Sequence, residues 1–313
     1  MMHWLAVLTL VMLSAGANAT EYSLATGGEK SPRVVPIDTY KDALALFDQL
    51  NYTQEAWQAG IRIVPRLYIS NISDQWSKKT TKEIDVKLKK EIFFRAIGPL
   101  ALRSNELILQ DREKLQALMA RHDNLSATER DWLRQLATTY GLDIAAYPDA
   151  SELEEALLPR VDVVPPSLVL AQAAEESGWG TSRFASAGNA LFGQWTWGGK
   201  GIRPEQQRSG KGDYKIAAFD APLQSVQAHA RNLNTHSAYL QFRIKRAQLR
   251  ANNKRIAGYD LAGALTSYSE RGQDYVKTLR SIISYNKLDD ADDAYLDDAQ
   301  AIVLTSVRAP NEN

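Results

Sequence analysis

The sequence predicts a mainly α protein, a helical domain with a small β-hairpin lobe, preceded by a helical N-terminal extension. Three observations carry that prediction. Apolar residues recur at helical spacing, as in Tyr40, Ala43, Leu44, Phe47 and Leu50, and again in Ile84, Leu88, Ile92, Ala96 and Leu100. Helix punctuation is explicit at both ends of residues 126–141: Ser126-Ala-Thr-Glu129 is a capping box, and Gly141 suits the left-handed residue that closes a helix. The helical pattern then stops after Gly193. Residues 194–214 are crowded with Gly, Trp and charge, as expected of a hairpin or lobe at a cleft edge.

Taken in order, residues 1–19 read as a secretory signal peptide. An apolar run at 4–13 leads into small residues from Ser14 and ends at Ala17-Asn18-Ala19. The run is well short of the roughly 20 apolar residues that span a bilayer. The segment before it has no Lys or Arg, which leaves an uncleaved anchor as the alternative. Residues 20–36 are polar, contain Gly27-Gly28 and end at Pro36, as a flexible tether would. Residues 37–158 form the helical N-terminal region. Within it, residues 61–70 are a candidate short strand, and Pro65 argues against a central one because it cannot donate to a ladder. A boundary falls near Pro159, and Pro165-Pro166 suits the first turn of a helix. The second region, 159–288, continues with helices expected at 222–234, 238–250 and 262–285. Residues 289–313, with six aspartates between Asp289 and Asp298, read as a solvated acidic tail.

Composition removes several classes of function. With no cysteine there are no disulfides, thiolate nucleophiles or Cys-based metal sites. The four histidines, His3, His122, His229 and His236, form neither a His-x-x-x-His nor a His-Glu-x-x-His pair, so neither a metal nor another cofactor is expected. Lys plus Arg balance Asp plus Glu at 37 each, and no basic aromatic patch points to nucleic acid. No segment after the signal is long and apolar enough to span a membrane, so stable membrane insertion is not expected. The natural location is the periplasm or another exported compartment.

Chemistry concentrates in Ser167-Leu-Val-Leu-Ala-Gln-Ala-Ala-Glu-Glu-Ser-Gly-Trp-Gly180, a helix that turns abruptly into a Gly-flanked aromatic corner with two carboxylates on its last turn. A carboxylate there faces the negative end of the helix dipole, and an apolar neighbour such as Trp179 raises its pKa further. A raised carboxyl pKa is what a general acid for glycoside cleavage requires. On spacing alone, Glu175 and Glu176 read more readily as surface charges.

The string Ala171-Gln-Ala-Ala-Glu-Glu-Ser-Gly-Trp-Gly180, followed by Asn189-Ala-Leu-Phe-Gly193, strongly resembles the glucosaminidase family typified by the flagellar-rod muramidase, a branch of the lysozyme-like superfamily. The resemblance implies a lysozyme-like helical domain and hydrolysis of β-1,4 bonds in the glycan strands of peptidoglycan. The family's catalytic acid is the Glu directly before Ser, which falls on Glu176. Lys215-Ile-Ala-Ala-Phe-Asp220 resembles the family's Phe-Arg-Ala-Tyr-Asp turn with two changes, and Ser225 and His229 fit its Ser-x-x-x-His helix. His229 is read as a buried structural hydrogen-bonder. Tyr268-Ser-Glu-Arg-Gly-Gln-Asp-Tyr275 resembles the family's Tyr-Ala-Thr-Asp-Pro-x-Tyr, with one extra residue and no Pro. Tyr268 is then expected to face the cleft and Tyr275 to pack. The N-terminal patterns Lys90-Glu-Ile-Phe-Phe94 and Pro99-Leu, Asn105-Glu and Arg112 resemble a Bax-type subgroup.

Glycosidases pair the acid with a second carboxylate or with the substrate's own acetamido group. The family often draws a second Glu from the lobe. Glu205 is the single Glu there, and it competes with a plain surface charge; Asp213 is the fallback. Substrate contacts are expected from Gln194, Trp195, Trp197 and Tyr268, the two tryptophans being as suited to lobe packing as to stacking on sugar rings. Two alternatives stay open: a lytic transglycosylase using one Glu, and a glycan-binding scaffold in which Glu176 is dispensable.

Overall fold

The computed structural model describes residues 31–306 except Lys211, with His122 described by its backbone alone, so the signal-peptide reading lies outside the described residues. The chain opens with strand β1 (Arg33–Ile37) and helices α1 (Tyr40–Gln49) and α2 (Gln54–Gln58). Strands β2 (Ile63–Val64) and β3 (Leu67–Ile69) follow, broken at Pro65 as its missing N–H requires. A π-helical turn at Trp76–Thr80 leads to the long helix α3 (Val86–Met119), and then come α4 (Ala127–Thr139) and α5 (Ala150–Leu157).

The second half carries α6 (Pro166–Ser177), α7 (Arg183–Gly188), strands β4 (Trp195–Thr196), β5 (Gly201–Ile202) and β6 (Lys215–Ala217), and helices α8 (Pro222–Thr235) and α9 (Leu240–Ala251). The region expected as one helix from 262 to 285 is instead α10 (Gly258–Ala262), a loop, and α11 (Gln273–Tyr285). Gly272 has φ +54° at the point where α11 starts. The chain closes with a 3-10 helix at Leu288–Asp293 and strands β7 (Tyr295–Leu296) and β8 (Ile302–Ser306).

The fold is mainly α. The punctuation read at residues 126–141 is present: Ser126 and Glu129 form the capping box that opens α4, and Gly141 has φ +65° just beyond it. Helix α3 packs on both α6 and α8, and one core runs across the boundary read near Pro159, joining Phe93, Ile97 and Leu115 to Leu168, Val226 and Leu279. Residues 37–158 and 159–288 therefore share one apolar interior. Burying each Leu or Val of α6 contributes roughly 1.5–3 kcal/mol, and Leu168, Val169 and Leu170 are all buried.

Two expectations are corrected at the ends of the chain. Part of the segment read as a tether is a strand: β1 pairs in parallel with β8, from Arg33 opposite Ile302 to Ile37 opposite Ser306. The acidic tail is likewise not wholly solvated. Strand β8 lies between β1 and β3, and three of the aspartates ahead of it, Asp290, Asp292 and Asp293, are matched to partners on other segments. Asp290 pairs with Arg62 at 2.6 Å and Asp293 with Arg255 at 2.7 Å. Asp292 accepts from the Ser167 N–H and Oγ, both at 2.8 Å, and from the Gly258 N–H at 2.9 Å. Acidity in this segment caps helix α6 and neutralises arginines, which composition alone could not distinguish from a solvated run.

The segment before α6 is held by arginines and amides from three helices. Arg112 of α3 donates to the carbonyls of Leu158 (2.6 Å) and Val161 (2.8 Å). Arg246 of α9 donates to those of Pro159 (2.9 Å) and Val163 (2.7 Å). Asn105 pairs with both backbone groups of Val164, at 2.8 and 3.0 Å, and Asn234 of α8 reaches the Asp162 carbonyl at 2.9 Å. Buried Asp162 in turn takes the guanidinium of Arg250. These bonds satisfy backbone carbonyls that burial would otherwise strand, and they fix where α6 begins.

Candidate active site

Helix α6 ends in three consecutive left-handed residues, Gly178, Trp179 and Gly180, with φ of +59°, +63° and +76°. Only the middle one is costly, because a side chain at positive φ is strained. Neighbours hold it there. The Trp179 ring meets Phe93 and Phe94 of α3 edge-on at 5.6 and 5.2 Å, and its carbonyl accepts from Trp76 Nε1 at 2.8 Å. Ser177 ties the turn from within, donating to the Ala173 carbonyl at 2.6 Å and accepting from the Gly180 N–H at 2.7 Å.

Glu176 sits just before this corner, half-buried on the last turn of α6. Burial raises its carboxyl above the usual range, and the negative charge of Glu175 adds to that; the Tyr275 hydroxyl and Arg271 pull the other way without cancelling it. Glu175 itself is held by Arg271, so the two carboxylates face different partners.

A connected set of polar groups lies behind Glu176. Tyr275 donates to Glu176 Oε1 at 2.7 Å and accepts from Gln172 Nε2 at 3.1 Å. Gln172 Oε1 lies 3.1 Å from His229 Nε2, and His229 Nδ1 lies 3.5 Å from the Tyr268 hydroxyl. The rings are stacked to match: Phe192 on His229 at 3.9 Å, and Tyr268 on Tyr275 at 5.4 Å. His229 is fully buried, and desolvation lowers its pKa to about 3, so its ring is neutral.

The lobe is a three-stranded antiparallel sheet in the order β4-β6-β5. Trp195 is half-buried and stacks on Tyr214 at 4.1 Å, so packing occupies one of its faces. Trp197 meets Trp195 edge-on at 6.0 Å and stands 66% exposed. Gln194 Oε1 is a buried acceptor with no hydrogen-bond partner within the described protein. Glu205 is 85% exposed and pairs with Arg183 at 3.6 Å, while Asp213 pairs with Arg203 at 2.9 Å. Arg208 of the lobe bonds Glu270 in the loop before α11 at 2.6 Å, linking the lobe to the segment that carries Tyr268 and Arg271.

The structure thus gathers Glu176, Tyr268 and His229 in one cluster, with Gln194, Trp195 and Trp197 around the lobe sheet and Glu205 on its exposed side. Two members of the cluster escaped the sequence reading. Tyr275, expected to pack, is both packed and bonded to Glu176. Gln172 had a readable signal: it is the polar residue of the buried stretch 168–174 and lies one turn before Glu176, hence on the same face. Among the described residues, no group of three or more His, Cys, Asp or Glu could hold a metal ion, and no helix is long and apolar enough to cross a membrane.

Comparison with known proteins places the chain in a family. The family model for glucosaminidases, described as mannosyl-glycoprotein endo-beta-N-acetylglucosaminidase, matches residues 155–288. Protein bax of Escherichia coli (strain K12) is 32% identical over 199 residues, which are 64% of this chain and 70% of that protein. Among solved structures, the catalytic domain of the autolysin Auto from Listeria monocytogenes matches at 21% identity and a TM-score of 0.34, covering 58% of this chain and 96% of that one. From the identity and coverage shared with Protein bax and the family match over the helix that bears Glu176, the chain belongs to the glucosaminidase family, in its Bax-type branch.

Proposed function

We propose that the protein hydrolyses the β-1,4 bond that follows N-acetylglucosamine in the glycan strands of peptidoglycan, with Glu176 as proton donor. The observation that carries this reading is the setting of Glu176: a half-buried carboxyl at a helix C-terminus, bonded by Tyr275, whose pKa burial raises, the direction a proton donor needs. Glu176 protonates the glycosidic oxygen as the C–O bond breaks, and the bond's electron pair leaves with that oxygen. Gln194, Trp195, Trp197 and Tyr268 hold the sugar. The exposed Trp197 indole supports this assignment, because such a ring can stack on a sugar. The reaction needs neither metal nor nucleotide, and its substrate lies outside the cytoplasmic membrane, where the signal read at residues 1–19 would send the chain.

The anomeric carbon is then captured by water activated by Glu205, or by the substrate's acetamido oxygen. Glu205 is exposed and held by Arg183, which favours a second reading in which Glu176 is the one protein carboxylate required, as in a lytic transglycosylase. Digestion of purified peptidoglycan by the mature protein, Glu176→Gln and Glu205→Gln, with borohydride reduction and mass spectrometry, separates these outcomes. Reducible N-acetylglucosamine ends lost in Glu176→Gln support hydrolysis. Their loss in Glu205→Gln as well assigns water activation to Glu205. Anhydro-muramic ends move the reaction to transglycosylation. Glycan binding without products from any of the three proteins overturns catalysis and leaves a binding module.

A further inference from the structure

The groups behind Glu176 have a direction as well as a sequence. A neutral imidazole has one N–H and one acceptor nitrogen, and a primary amide has one donor end and one acceptor end. His229 Nε2 faces Gln172 Oε1, an acceptor, so Nε2 carries the proton and Nδ1 accepts from Tyr268. The Gln172 amide then presents its N–H to the Tyr275 oxygen, and Tyr275 has its own proton to donate to Glu176 Oε1. Each donor in the chain Tyr268, His229, Gln172, Tyr275, Glu176 points the same way.

Reversal is the competing state. If Gln172 turned its amide over, Tyr275 would donate to Gln172 Oε1, and its oxygen would accept a hydrogen bond from Glu176 protonated on Oε1. The acid proton would then point into the protein. With Tyr275 donating to Oε1, by contrast, the proton of neutral Glu176 resides on Oε2. We propose that His229 and Gln172 are positioning residues: the Nε2–H of His229 fixes the Gln172 amide, which fixes Tyr275 as a donor and leaves the transferable proton of Glu176 on Oε2. The proposal rests on Glu176 being the acid. It gives a function to a fully buried histidine on the inward face of α8, one that stacking on Phe192 alone would not require.

Two substitutions separate positioning from bulk. His229→Phe keeps a ring against Phe192 but has no N–H to hold the amide. Gln172→Met keeps length but has no amide to reverse, so Tyr275 remains free to donate to Glu176. His229→Phe is expected to lower kcat by about ten-fold or more, as loss of a hydrogen bond to a charged group would. It should also move the Glu176 limb of the pH profile upward by about one unit, because the carboxylate loses a donor. Glu175, Arg271, Tyr268, Tyr275 and Tyr239 also face Glu176, and neither substitution replaces any of them, although His229→Phe removes the acceptor of the Tyr268 hydroxyl.

The decisive arm is the double variant. Adding Gln172→Met to His229→Phe should restore much of the lost kcat and return the pH limb toward its original position. Two merely structural defects would add, so a double variant no more active than His229→Phe overturns the proposal. An unchanged kcat and pH profile in His229→Phe does the same. A measurement on the unaltered protein stands independent of folding in the variants. Nitrogen NMR of the His229 ring should show a protonated Nε2 and an unprotonated Nδ1 between pH 5 and pH 8, and the opposite tautomer overturns the chain's direction. Glu176→Gln on the same peptidoglycan keeps the two readings apart: if that variant is fully active, the acid assignment fails, while the tautomer still reports on the chain.

Discussion

Asp292→Ala should unfold the protein far more readily than a substitution in a solvated acidic tail could. The Asp292 carboxylate accepts from the Ser167 hydroxyl and from the backbone N–H groups of Ser167 and Gly258 at 2.8–2.9 Å. Ser167 is fully buried on the first turn of α6, so no intrahelical carbonyl is available to its N–H. Stranding two backbone donors costs about 1–3 kcal/mol each, and removing a negative group from a helix N-terminus adds roughly 1 kcal/mol. The expected loss is about 3–7 kcal/mol, a large fraction of the 5–15 kcal/mol that typically separates folded from unfolded states. Urea denaturation followed by circular dichroism, at a pH well above the value of about 6 to which burial pushes this carboxyl, reads it as a lowered midpoint with unchanged slope. Asp298→Ala, in the exposed part of the same segment, is the control and should stay within about 0.5 kcal/mol. A loss below about 1 kcal/mol for Asp292→Ala would refute the reasoning, since the cap would then carry no stability.

Further tests follow from the site. Tyr275→Phe removes the donor to Glu176 Oε1, so the carboxyl should titrate about one unit or more higher, and the alkaline limb of the pH–rate profile should move up with it. His229 has a folded pKa of about 3 against 6.5 unfolded, so the unfolded chain takes up the proton first as pH falls. Its contribution to stability is complete above pH 6.5 and shrinks below it, by about 3 kcal/mol between pH 7 and pH 4. Comparing urea midpoints of the unaltered protein and His229→Phe across that range isolates the effect. Trp197→Ala should leave stability within about 0.5 kcal/mol, because the ring is 66% exposed, yet raise KM for glycan roughly ten-fold if the indole is a sugar platform.

What could be read from the sequence was what repeats locally. The stripe through Ala43 and Phe47, the capping box at Ser126 and the break at Gly193 are set by neighbours a turn away, and each is present in the structure. Pairings between distant segments left no such signal. Strand β1 is five residues ending at Ile37, and nothing in Arg33-Val-Val-Pro-Ile37 indicates a partner at residues 302–306. Asp292 has the composition of a tail and the position of a cap. In the site, Glu176 was legible through its motif, and Tyr275 was not, because its hydroxyl reaches Glu176 only after the loop from Gly263 to Gly272 breaks what periodicity suggested was one helix.

The placement of β8 between β1 and β3 bears on the order in which the molecule can assemble. Its neighbours are completed by residue 69, but the strand that joins them is contributed by residues 302–306, in parallel register with both. Parallel pairings across so long a stretch of chain close slowly, because the entropy of the intervening loop is lost before the contacts form. A chain emerging from its N-terminus can therefore build α3 and the helices packed on it while the edges of β1 and β3 stay open. The Asp292 cap on α6 also arrives late, so the helix that bears Glu176 is secured only when nearly all the described chain has been made. Pulse-labelled amide exchange during refolding should accordingly show β1 and β3 gaining protection together with β8, after the interior of α3.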